Sequence, residues 1–145
     1  MQEISPSLLP SVAALAFLGD SVHSAYIREM LVRRGISHAG ELNRLSLHYV
    51  TAEEQARAFH RIEGILTEYE RDLYRRAANS KHLSRPRHAS LAEYRTATGF
   101  EAILGMHRFI GNEERIRELL SLSAVEDNVE ENVEKSKLSP KGKGL

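Results

Sequence analysis

The 145-residue chain contains no cysteine, which excludes a disulfide framework, a thiolate zinc site and a cysteine nucleophile together. That usage suits a reducing interior. Tryptophan is absent and aromatic residues make up only 6%. Runs that alternate β-branched and aromatic residues, the mark of strands, are missing. Twenty basic residues balance twenty acidic ones, so no global positive field advertises a polyanion, and any such site must be a local patch. No apolar stretch approaches the 18 or more residues of a spanning helix, and residues 1–11 lack the basic start and apolar run of a signal peptide. The expectation is a soluble, cytoplasmic protein with no membrane partner. Nucleotide-binding glycine patterns, HExxH and GxSxG are also missing.

What is present is helical periodicity. Hydrophobic content of 41% and charged content of 28% are those of an ordinary globular domain. From Ser11 to about Arg34 the residues Val12, Leu15, Leu18, Val22, Tyr26 and Leu31 recur mostly every three or four positions, with Pro10 before and Gly35 after. Glu41 to Val50 reads as a second, shorter helix. Thr51-Ala52-Glu53-Glu54 and Thr67-Glu68-Tyr69-Glu70 are capping-box patterns that open helices to about Leu66 and Asn79. Residues 81–91, with Pro86 and two serines, read as a loop. Ser90-Leu91-Ala92-Glu93 opens a helix to about Ile110, and Asn112 caps a last one ending near Leu122. Six helices joined by short turns predict an all-α bundle over residues 1–122. Residues 123–145 predict a charged, disordered tail: Glu126 to Glu134 carries five acids and no base, and Lys, Ser, Gly and Pro dominate the stretch from Lys135 to Leu145.

Two carboxylates sit where carboxylates are costly. Asp20 follows Gly19 within the most apolar part of the first helix, on a face shared with Ala16. Glu101 lies in Gly99-Phe100-Glu101-Ala102-Ile103-Leu104-Gly105. A carboxylate near a core must be paired, hydrogen-bonded or bound to a cation. The spacing leaves those alternatives open; were the two helices to cross here, the oxygen ligands would suit a hard cation such as Mg²⁺. A third feature is a local basic cluster. Between Arg71 and Arg95, seven Lys or Arg stand against Asp72 and Glu93, the footprint of phosphate contacts or of a solvated helix end.

In this order the three features resemble the catalytic domain of ribonuclease III, and most closely the short bacterial Mini-ribonuclease III type. Ala16-Phe17-Leu18-Gly19-Asp20-Ser21-Val22 resembles the family's Glu-Phe-Leu-Gly-Asp-Ala-Val helix. Arg75-Arg76-Ala77-Ala78-Asn79-Ser80-Lys81 resembles Arg-Arg-Gly-Arg-Asn-Ala-Lys, and Thr98-Gly99-Phe100-Glu101-Ala102-Ile103-Leu104-Gly105 resembles Asp-x-x-Glu-Ala-Leu-Ile-Gly. The resemblance covers residues 9 to about 120. It implies a Mg²⁺-dependent endoribonuclease cleaving double-stranded RNA, with Asp20 and Glu101 as metal ligands and catalytic acids. It further implies that Asn79 and Lys81 face the scissile region and that Phe17 packs at the interface of a homodimer. The basic cluster, Arg75, Arg76, Lys81, Arg85 and Arg87 together with Asn79, would contact RNA. The implied substrate is precursor large-subunit ribosomal RNA, with a ribosomal protein as a further candidate partner. Ala16 and Thr98 stand where the longer enzymes carry acids, which bears on whether one or two Mg²⁺ ions are held. The competing readings are a non-catalytic double-stranded RNA-binding module of the same fold, and a helical interaction protein with no RNA role.

Overall fold

In a computed structural model residues 8–80 and 90–124 are described, and among them every regular element is helical. Helix α1 spans Val12–Arg33 and starts at Ser11, whose hydroxyl accepts from the Ala14 amide at 3.1 Å. Helix α2 is Ala39–Val50, α3 is Ala52–Ile62 followed by a 3₁₀ turn at Glu63–Ile65, and α4 is Glu68–Ala78. Helix α5 spans Leu91–Ile110 and α6 spans Glu113–Ser123. The capping residues legible in the sequence do their work at Thr67 and Ser90, where both halves of the box form. Asn112 accepts from the Arg115 amide at the start of α6.

One cap and two boundaries differ from expectation. Thr51 accepts from the Glu54 amide, but Glu54 turns outward to pair with Arg57, so only half of that box exists. Helix α2 begins at Ala39 rather than Glu41, after a His38 that makes no side-chain cap. Helix α6 runs through Ser123, which is buried and whose carbonyl accepts from Arg61 at 2.8 Å, so the folded unit extends past residue 122. The expected tail from residue 125 onward lies outside the described residues.

Helix α5 is the centre of the bundle and packs against α1, α3, α4 and α6. From Ala97 to His107 every residue is buried except Glu101. Phe100, Ile103 and Leu104 meet Val22 of α1, Phe59 and Ile62 of α3, and Ile116, Leu119 and Leu120 of α6. A second core joins Leu15 and Ala16 to Leu73, Ala77, Ala102 and Met106. Each such large side chain, fully buried, contributes about 1.5–3 kcal/mol of transfer free energy. A third, smaller core packs α2 onto α1 through Ile27, Leu31 and Leu45.

One ionic cluster is enclosed in this packing. Glu70, the third residue of α4, is only 2% exposed. Its carboxylate accepts from Arg115 at 2.7 and 2.9 Å, from His107 Nε2 at 2.6 Å and from the Thr67 amide at 2.9 Å. Burial alone would raise its pKa, yet these donors outweigh burial and hold the carboxyl well below its usual range. The same glutamate therefore closes the α4 cap and ties α4 to α5 and α6.

Candidate active site

The site is set by where α1 crosses α5. A methyl group placed on Gly19 would stand 1.7 Å from the Glu101 carbonyl oxygen, and one on Gly105 would stand 1.8 Å from the Leu15 carbonyl oxygen. No side chain fits in either place, so the two helices touch backbone to backbone. That contact is the physical reason for a glycine in the middle of a long helix, where it otherwise costs about 1 kcal/mol relative to alanine. Asp20, the next residue along α1, is thereby carried to Glu101.

The two carboxyl groups lie within hydrogen-bonding reach of each other. Asp20 is exposed and Glu101 is partly buried, so the apolar stretch around Asp20 does not bury it; α1 turns it to the solvent edge of the crossing. Burial, and then the hydrogen bond and charge of Asp20, push the Glu101 carboxyl up from 4.5 to about 8. Among the described residues neither carboxylate has an ion pair with Lys or Arg. The salt-bridge alternative for these acids is thus not realised there.

Ala16 and Thr98, the positions singled out by the sequence resemblance, contribute nothing to the pair. Ala16 is 9% exposed and packs on Leu73 and Ala77. Thr98 is 5% exposed and spends its hydroxyl on the Tyr94 carbonyl at 2.9 Å, one turn back on its own helix. Among the described residues no three His, Cys, Asp or Glu side chains converge. A pair of hard oxygen donors at a solvent edge, with no Lys or Arg paired to it among the described residues, fits one cation that retains waters, the coordination habit of Mg²⁺.

Two polar residues behind the pair do not stand out in the sequence. Gln55 of α3 and His23 of α1 are each 3% exposed, and Gln55 Nε2 lies 3.3 Å from His23 Nδ1. The Gln55 carboxamide also lies close enough to Glu101 to favour its charged form, opposing the upward shift. Burial lowers the His23 pKa from 6.5 to about 4, against the pull of Asp20. The signal that could have found them is a glutamine on the apolar face of α3, between Ala52, Ala56 and Phe59.

The remaining expected residues lie at the edge of the bundle. Arg75 and Arg76 end α4 and are exposed; Arg76 pairs with Asp72 at 3.3 Å. Asn79 is the exposed C-cap of α4. Lys81, Arg85 and Arg87 lie outside the described residues. Phe17, three residues before Asp20, is 84% exposed. None of the described helices is long and apolar enough to cross a membrane.

Residues 13–108 match the family model of the ribonuclease III domain. The chain is 40% identical over 124 residues to Mini-ribonuclease 3 of Symbiobacterium thermophilum, covering 86% of this chain and 95% of that one. Against Mini-ribonuclease 3 of a Thermoanaerobacter species it is 41% identical over 117 residues, 81% of each chain. The Streptococcus pneumoniae Mini-ribonuclease 3 is 39% identical over 110 residues, 74% of this chain and 86% of the other. A crystal structure of a Fusobacterium nucleatum protein superposes with a TM-score of 0.72 at 28% identity, covering 82% of this chain and 96% of that one. A helical bundle pinned by a glycine crossing, with an acid from each crossing helix at its edge, and relatives of this closeness lead to one assignment: the chain belongs to the ribonuclease III family, as one of its Mini-ribonuclease 3 members.

Proposed function

We propose that this endoribonuclease cleaves double-stranded RNA with Asp20 and Glu101 as the acids that hold a divalent cation, Mg²⁺ by preference. The observation that carries the reading is the juxtaposition of these two carboxylates at the α1–α5 crossing, where among the described residues no Lys or Arg pairs with either. A cation bound there supplies charge neutralisation at the scissile phosphate and a more acidic water for in-line displacement. Asp20, at the solvent edge, presents its carboxylate to substrate; Glu101, half enclosed, fixes the inner side of the site. Ala16 and Thr98 offer no further oxygen toward it, which favours a single ion.

Arg75 and Arg76 supply exposed positive charge at the end of α4, where they are placed to grip phosphates, and Asn79 lies just beyond them. An A-form duplex is read through phosphates and 2′-hydroxyls rather than base edges, and a chain of zero net charge needs such a local patch. Phe17, exposed on the helix that carries Asp20, is the anchor of the proposed homodimer. A two-fold dimer suits a duplex because the backbone has a matching local dyad and each site can cut one strand. Precursor large-subunit ribosomal RNA, with a ribosomal protein as accessory partner, completes the proposal, and the cytoplasm is the expected compartment.

The test is incubation of a perfect RNA duplex, its single strands and a ribosomal precursor with the protein, in Mg²⁺ or in chelator. Short products from duplex or precursor, only with Mg²⁺ and bearing 5′-phosphates, are expected. Cleavage of single strands alone, or undiminished cleavage in chelator, overturns the proposal.

A further inference from the structure

The buried polar pair behind the acids has no evident structural need. Helix α3 could complete its packing on α5 with an apolar residue at position 55, as it does with Ala58, Phe59 and Ile62. Instead it buries a primary amide, which must find partners for two N–H donors and a carbonyl or lose stability. The amide nitrogen has two partners available. One is His23 Nδ1 at 3.3 Å, on α1 three residues from Asp20, and the other is the Glu101 carboxyl on α5. His23 is itself fixed, buried with Phe100 edge-on to its ring at 6.0 Å. With Nδ1 accepting from the amide, His23 is neutral and carries its proton on Nε2; its lowered pKa agrees.

We propose that Gln55 is a positioning residue: anchored on His23, its carboxamide holds the Glu101 side chain turned toward Asp20. The inference rests on the reading of Asp20 and Glu101 as the cation-holding pair. The residue type fits the task. A lysine at position 55 would neutralise Glu101 and compete with a cation, and a glutamate would add a third negative charge. A neutral donor orients a carboxylate without cancelling its charge, the role that outer partners of metal ligands fill in metalloproteins generally. The arrangement also links the three helices that build the site: α1 gives Asp20 and His23, α3 gives Gln55, and α5 gives Glu101.

The experiment measures Mn²⁺ binding to the RNA-free full chain by calorimetry for wild type, Gln55→Met and Asp20→Asn. Thermal unfolding in chelator and duplex cleavage are measured alongside. Methionine keeps the volume and removes the donor. The expected result is a Gln55→Met protein that unfolds in chelator within a few degrees of wild type, yet binds Mn²⁺ about 10–100-fold more weakly. Its kcat should fall while KM for RNA stays unchanged. Should methionine prevent folding, Gln55→Asn keeps an amide too short to reach and is read in the same way. A folded position-55 variant that binds Mn²⁺ as wild type does, beside an Asp20→Asn protein that has lost binding, overturns the role of Gln55. Wild-type binding by both variants overturns the cation-holding pair itself.

Discussion

The carbonyl oxygen of Glu101 occupies the space that a side chain on Gly19 would need, 1.7 Å from where its first carbon would stand. This contact joins fold and candidate chemistry: the residue that permits the close approach precedes one acid, and the residue approached is the other acid. Gly19→Ala should force α1 and α5 apart and destabilise the protein by about 3 kcal/mol or more, beyond the usual cost of overpacking. Gly64→Ala, in open space on the 3₁₀ turn, is the control and should change stability by less than about 1 kcal/mol. Urea unfolding of the two variants checks the contrast.

Stability should depend on pH through three groups whose signs differ. His23, lowered from 6.5 to about 4, favours the unfolded state as pH falls through that window. Glu101, raised from 4.5 to about 8, favours the unfolded state as pH rises through its own window. Glu70, held below 4.5, contributes stability that is present above that value and lost as pH falls toward its folded pKa. In cation-free protein the first two slopes oppose between pH 4.5 and 6.5, each at most about 1.4 kcal/mol per unit. Maximal stability should therefore lie in that interval, with losses on both sides. Glu101→Gln should move the maximum above pH 6.5, leaving the His23 limb exposed. Urea midpoints across pH measure this, and an unmoved maximum contradicts it.

Much of this architecture is legible in the sequence because the signals are local. Thr67, Ser90 and Asn112 each cap the helix expected of them, since a cap needs only a hydroxyl or amide and a nearby backbone amide. Position 54 shows the limit: its glutamate could close the Thr51 box or meet Arg57, and the helix surface supplied the nearer partner. Asp20 and Glu101 are visible as misplaced charges, but their meeting depends on a crossing eighty residues apart in sequence. Gln55 shows only as a glutamine on an apolar helix face, and its pairing with His23 is hidden for the same reason. Glu70 reads as a cap alone, because nothing local announces Arg115 and His107.

The basic end of α4 should act through charge. Its Arg76–Asp72 pair is exposed and worth little, so the guanidinium is available to phosphate. Arg75→Glu with Arg76→Glu should weaken RNA affinity and lower the steepness of its salt dependence by about one unit for each phosphate no longer neutralised. Binding measured across salt concentrations reads the slope, and an unchanged slope contradicts the assignment.

Phe17, at 84% exposure, is an aromatic side chain whose exposed surface matches that of an interface anchor. Phe17→Asp should convert a dimer to monomer in sedimentation while the helical content is kept. A wild-type chain that sediments as a monomer at every concentration rules the dimer out.

The most direct measurement is duplex RNA cleavage by wild type, Asp20→Asn and Glu101→Gln in Mg²⁺, with RNA binding measured in parallel. Both variants keep side-chain shape and remove one negative charge. Each should fold, still bind RNA and lose cleavage by 100-fold or more, on the order of the ~3–4 kcal/mol that one electrostatic group in an active site supplies. Full cleavage by either folded variant would contradict the role of the two acids, and binding without cleavage by wild type would make the chain a double-stranded RNA-binding module.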